Sequence, residues 1–188
     1  LGGSEMGKRD QYTRLLEHAL HDTPSASLPF LVCTYVDGAV LDPVNTTGAG
    51  LLVGRHMLAH LATQLAAAHI PANILCTIVS DTLATCEASS IMGDDELGPW
   101  RVLLAEQYAS LSRWRDAAQA LQSITPHAAR RIPQLSFAQL CVRVVELWLH
   151  DLPSHVAEAE QAIKRANSAI LDERDHTARG HDRGAEQA

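Results

Sequence analysis

This sequence predicts an all-α fold, built as a right-handed solenoid of tetratricopeptide-like or HEAT-like helix pairs. Three observations carry the expectation. Alanine (28) and leucine (25) dominate the 188 residues, while aromatics (FWY) are only 4%. Such a mix favours packed helices over sheet. Apolar residues recur at spacings of three and four along most of the chain, the signature of amphipathic helices. A pair of helices also repeats. Leu104, Tyr108 and Leu111 precede Ala117, Ala118 and Leu121; at an offset of 41 residues, Val145, Leu149 and Leu152 precede Ala159, Ala162 and Ile163. Stacked helix pairs have this period, and the small residues of each second helix permit a close approach to the first. A plain helical bundle is the alternative arrangement.

Each element follows from local signals. Asp10–Leu20 carries Tyr12, Leu15, Leu16, Ala19 and Leu20 at helical spacing, and His21-Asp22-Thr23-Pro24 stops it. Leu28–Leu41 contains a strand-like run, Leu31 to Val36. A lone strand among helices would leave its backbone groups unpaired, so a buried helix is expected. Asp42–Gly48 reads as a loop. Leu51–Ala68 turns Leu51, Met57, Leu58, Leu61, Leu65 and Ala68 to one side. Pro71 opens a helix from about Asn73 to Ser90, since proline is tolerated where its amide proton would lack a partner. A helix over Glu96–Ser110 is expected to bury Trp100, Leu103, Leu104 and Leu111, with Gly98-Pro99 in its first turn. Arg113–Ser123 follows, with Trp114, Ala117, Ala118 and Leu121 on one side. Thr125–Ile132 reads as a loop containing Arg130-Arg131. Pro133 begins a helix to His150 with Leu140, Cys141, Val144, Val145, Leu147 and Trp148 inward. The last helix, Ser154–Ile170, presents Ala159, Ala162, Ile163, Ala166 and Ile170. Residues 1–9 are expected to be a disordered or vector-derived N-terminus, since the chain opens Leu1-Gly2-Gly3-Ser4 without methionine. Residues 10–171 form the helical arm, and the charged stretch 172–188, without bulky apolar residues, is expected to be disordered.

Charge narrows the range of functions. Asp plus Glu is 22 and Lys plus Arg 15, giving net −7 with neutral histidines. That balance argues against a nucleic-acid or anionic membrane surface as partner. No apolar run reaches the length of a membrane-spanning helix, and signal-peptide anatomy is absent. Cys33, Cys76, Cys86 and Cys141 form no CxxC and have apolar neighbours, as expected of buried, reduced thiols in a cytosolic or nuclear protein.

Candidate chemistry is sparse. His56 and His60 share a helix face at i, i+4 and could hold zinc, but the metallopeptidase pattern needs Glu where Met57 stands. A small-ligand binder or helical enzyme using this pair is the reading furthest from a scaffold. His150, Asp151 and His155 flank Leu152-Pro153, which marks a turn between helices and a surface or capping role. Gly48, Gly50 and Gly54 are spaced GxGxxxG, without the βαβ context of a phosphate loop; a flexible loop is expected. Asp94-Asp95-Glu96 reads as a solvated helix start opposing the positive end of the helix dipole. Trp100, Trp114 and Trp148 read as core pegs. No catalytic, cofactor-binding or metal residue is assigned, and no cofactor or small-molecule substrate is expected.

At this point the sequence resembles a known family. Trp100–Tyr108, Trp114–Leu121 with Ile124, and Arg143, Val144 and Leu147–Leu149 resemble the subunit-four family of the constitutive-photomorphogenesis signalosome. Ala157–Glu160 and Ile163–Asn167 fit that family's following helix, and Arg55, Leu58, Leu61, Ala62 and Leu65 its earlier region. The resemblance covers roughly 10–171 and is strongest after Trp100. It departs at His150–Ser154, where the family carries an acidic run. The resemblance implies the N-terminal helical arm, without the C-terminal PCI winged-helix module. It implies a non-catalytic scaffold that contacts other signalosome subunits and the cullin–RING ubiquitin ligase, in nucleus and cytoplasm, while another subunit removes Nedd8 from the cullin. A proteasome-lid paralogue, or another PCI-containing assembly, has the same kind of arm.

Overall fold

A computed structural model describes residues 3–48 and 50–185. Ten α-helices are drawn over them: α1 Gly3–Asp22, α2 Leu28–Tyr35, α3 Pro43–Thr46, α4 Gly50–Ala67, α5 Ala72–Ser89, α6 Asp94–Ser110, α7 Trp114–Gln122, α8 Pro126–Ala129, α9 Phe137–Leu149 and α10 Val156–Ala185. No strand occurs among the described residues, so the fold class is all-α. Nor is any helix of the described residues long and apolar enough to cross a membrane.

The strand-like run of Leu31–Val36 is helical, and a π-turn over Val36–Val40 extends it. Val32, Val36, Ala39 and Val40 are buried, so burial among helices overrides β-propensity. Two expected loops contain short helices, each started by a cap before proline. Asp42 accepts a hydrogen bond from Val44 N at 2.8 Å to start α3. Thr125 Oγ1 accepts one from Ala128 N at 3.2 Å to start α8. The helix expected from Pro133 begins instead at Phe137. Ser136 Oγ accepts from Gln139 N at 3.1 Å, while Gln139 Oε1 accepts from Ser136 N at 2.9 Å. That reciprocal capping box outcompetes the proline, and Gln134, at φ 62°, turns the chain ahead of it. Because α6 starts at Asp94, Pro99 falls in its second turn, not its first.

At both ends the structure draws helix over stretches predicted to be disordered. Helix α1 starts at Gly3 and α10 runs to Ala185. Residues 1–2 and 186–188, which belong to those stretches, lie outside the described residues; neither stretch contains proline, and Asp172 and His176 stand four apart in the C-terminal one, a spacing that supports helix. Residues 170–177 are exposed.

From α5 onward the longer helices pack in order along the chain, whereas in the first half the contacts skip, α2 lying on α5. Helix α5 lies on α6, α6 on α7, α7 on α9 and α9 on α10, while α4 lies against α1 and α6. One core gathers Leu16, Met57, Leu61, Val79, Trp100 and their neighbours; the next gathers Ala117, Leu121, Ile124, Leu147, Trp148 and Ala159. Small residues do dominate the buried face of α10, where Ala159, Ala162, Ala166 and Ala169 are all buried. Ile163 and Ile170, expected to point inward, are 40% and 39% exposed, and Leu15 of α1 is 65% exposed. Leu111 is exposed as well.

Candidate functional site

The features singled out in the sequence resolve mostly into structural roles. Gly50 and Gly54 lie inside α4, both buried, rather than in a flexible loop. A Cβ at Gly54 would lie 2.5 Å from the Asn45 carbonyl oxygen and 2.8 Å from that of Val40; one at Gly50 would collide with the Val44 carbonyl. These glycines let α4 press directly on the backbone of the π-turn and α3. Asn45 Nδ2 ties those two together by donating to Ala39 O at 2.7 Å. Only Gly48, at φ 55°, is the turn residue expected there.

The acidic trio at the start of α6 is not simply solvated. Each carboxylate holds a different cation. Asp94 Oδ1 accepts from Arg101 Nη1 at 3.1 Å. Asp95 Oδ2 lies 3.3 Å from Arg131 Nε and 3.4 Å from His127 Nε2. Glu96 Oε1 lies 3.0 Å from Arg55 Nε of α4, and Glu96 Oε2 accepts from Gly93 N at 2.8 Å. The positive end of α6 thus gathers acids, as expected for the helix dipole, and the acids fasten α4 and the segment after α8 to it.

The histidines are dispersed. His60 Nε2 lies 3.6 Å from Glu17 Oε1 of α1, and His56 is exposed on α4. Among the described residues, no group of three or more His, Cys, Asp or Glu is placed to hold a metal ion. His150 stacks on Trp114 with ring centroids 4.4 Å apart, joining the end of α9 to the start of α7. His155 Nε2 lies 3.0 Å from Asp151 Oδ2, and its ring tilts over Trp148. Trp100 and Trp148 are fully buried core residues; Trp114 is half-buried. All four cysteines are free. Cys76, Cys86 and Cys141 are buried as expected, but Cys33 is exposed on the outer side of α2. Burial pushes the Cys86 thiol up to about 11, helped by the charges of Asp37 and Glu87.

One concave feature of the second half is an apolar cleft of about 280 Å³ between α6, α7 and α9. Val102, Ala105 and Ala109 of α6, Leu121 of α7, and Leu140 and Leu147 of α9 line it. Ala105, Leu121, Leu140 and Leu147 are buried and form its floor, whereas Val102 and Ala109 are half-buried at its sides. Glu106 and Arg143 flank the mouth. Desolvation by the cleft raises the Glu106 carboxyl above its ordinary value, and Arg143 opposes the rise. Arg143 gives its Nη1 to Glu146 Oε2 at 2.8 Å. Sequence reasoning missed this cleft. The signal was there: Val102, Ala105 and Ala109 form a second stripe on α6, beside the one headed by Trp100. A cleft of aliphatic walls with two ionised groups at its rim offers side-chain recognition. It assembles no nucleophile–base pair.

No family model matches the chain. A comparison with curated proteins finds similarity to COP9 signalosome complex subunit 4 of Caenorhabditis elegans: 29% identity over 140 residues, covering 71% of this chain and 34% of that protein. The chain therefore spans about a third of the length of the relative it matches.

Proposed function

We propose that this chain is a non-catalytic scaffold arm that makes protein contacts within a COP9-signalosome-type complex. The observation that carries the reading is the 29% identity to subunit 4 across 140 residues, borne by an all-α chain whose longer helices pack in order from α5 onward. Within this reading the helix pairs stack as a right-handed solenoid over residues 10–171. Its partners are the other signalosome subunits and the cullin–RING ubiquitin ligase. Nedd8 is removed from the cullin by a different subunit, in nucleus and cytoplasm. A stack of helix pairs suits the task because it presents long surfaces without requiring an enclosed pocket. The net charge of −7 complements a basic partner surface and speeds encounter with it.

Co-purification from eukaryotic extract, with this chain as bait and mass spectrometry of the bound proteins, tests the proposal. Enrichment of signalosome subunits or cullin–RING components is the expected result. Enrichment of proteasome-lid subunits would move the assignment to that assembly. In a reconstituted complex, equal rates of ligase-stimulated deneddylation with and without the arm would remove the recognition role.

A further inference from the structure

We infer that the cleft between α6 and α9 seats a basic amphipathic segment of a partner protein, with one apolar side chain filling the cleft and a lysine or arginine at Glu106. The inference rests on the reading of this chain as a protein-interaction arm and adds the chemistry of what it binds.

Size comes first. A cavity of about 150 Å³ with aliphatic walls holds a benzene molecule, so about 280 Å³ accepts a leucine, methionine or phenylalanine side chain with space left over. Water has few polar partners against Val102, Ala105, Ala109, Leu121, Leu140 and Leu147, and a well-held water needs two or more. An apolar side chain therefore displaces solvent that the cleft holds poorly.

Charge then selects the segment. Glu106 makes no hydrogen bond or ion pair with the described residues. Its nearest cation, Arg143, is engaged by Glu146. The rim thus carries one carboxylate, Glu106, free of any ion pair with the described residues, and one guanidinium already neutralised by Glu146, on a chain of net charge −7. A partner's cation at Glu106 supplies a counter-charge that no ion pair from the described residues provides. An acidic segment meets Glu106 and is repelled.

The test uses a roughly 14-residue amidated peptide with leucines at i, i+3, i+4 and i+7 and lysines at the polar positions. One control replaces the lysines by glutamates, and another replaces the leucines by alanines. Each is titrated into this chain carrying labelled methyl groups and followed by NMR. The expected result is saturable binding of the leucine–lysine peptide below about 1 mM, with the first shifts at the methyls of Val102, Leu121, Leu140 and Leu147. Both controls bind about tenfold more weakly or worse. Ala109→Phe, which fills the cleft, weakens binding about tenfold, and Glu106→Gln about threefold to tenfold. Several results would overturn the inference: no saturation by about 1 mM, shifts centred elsewhere, equal binding of the glutamate peptide, or binding undiminished in both variants. Glu106→Gln keeps the side-chain shape, so it decides the matter if Ala109→Phe fails to fold. Failure of the co-purification experiment would leave this peptide measurement unaffected, and the reverse also holds.

Discussion

Arg101 Nη2 donates to Glu87 Oε1 at 3.1 Å, so the guanidinium of α6 holds the last turn of α5. The same group reaches Asp94 at the start of its own helix and the Ser123 carbonyl after α7, at 3.1 and 3.2 Å. One side chain, 12% exposed, thereby links three consecutive helices. The two carboxylates stay half in water, which weakens each ion pair, but the hydrogen bond to Ser123 O is lost if the side chain is removed. Arg101→Ala is expected to cost about 1–2 kcal/mol. In a domain of this size that lowers the thermal midpoint by about 2–8 °C. Arg101→Lys recovers only part, because a lysine cannot span three acceptors in one plane. Thermal unfolding followed by circular dichroism checks both.

The two glycine environments predict opposite signs. At Gly54 a Cβ meets two backbone carbonyls at 2.5 and 2.8 Å, and backbone cannot swing aside. Gly54→Ala is expected to destabilise by about 1–3 kcal/mol. At Gly38 nothing lies within 4 Å of the added carbon, and φ is not positive. Gly38→Ala is expected to stabilise by about 0.4–1 kcal/mol by restricting the unfolded chain. Denaturant titrations of the two variants would show midpoints shifted in opposite directions.

The three tryptophans separate by depth. Trp100 and Trp148 are fully buried, so replacement of either by alanine is expected to cost about 3–5 kcal/mol. Trp114 is half-buried and stacked on His150. His150→Ala removes that contact for about 0.5–1.5 kcal/mol and changes the fluorescence of Trp114. Unchanged emission in His150→Ala would contradict the stacked geometry.

Alkaline pH should destabilise the fold through Cys86. Its thiol rises from 9.0 to about 11 on folding, chiefly by burial. A raised folded value means that the contribution is fully present below pH 9 and is lost as pH climbs toward 11. At about 1.4 kcal/mol per unit the loss amounts to about 2–3 kcal/mol. Cys86→Ala costs stability at neutral pH, but its denaturation midpoint should vary less between pH 9 and 11. Identical slopes in the two proteins would refute the assignment.

The C-terminal part of α10 should contribute little. Past Ala169 its one described tie to the body is Glu173 Oε1, which accepts from Ala138 N at 3.2 Å. Ending the chain after Leu171 is expected to cost at most about 1 kcal/mol. Hydrogen exchange should be fast beyond residue 172 and slow around Ala162 and Ala166.

The all-α class was legible because it rests on periodicity, and periodicity survives tertiary packing. Met57, Leu61 and Leu65 all fall where their spacing puts them. Boundaries were less legible where two local signals competed. Pro133 and Ser136 both mark a helix start, and only the reciprocal bonds with Gln139 decide for Ser136. Inner faces failed at element edges. Ile163 and Ile170 obey the helical period, yet α9 covers only the narrow alanine stripe beside them.

Composition, spacing and charge by themselves determined the helical class and the acidic balance. Those properties are local or additive, and a linear string carries them. The tertiary structure alone decided that Gly50 and Gly54 serve backbone contact, that Asp94, Asp95 and Glu96 each fasten a separate cation, and that an apolar cleft opens beside Glu106. Each of these depends on residues far apart in sequence meeting within a few ångströms, and spacing along the chain does not encode that distance.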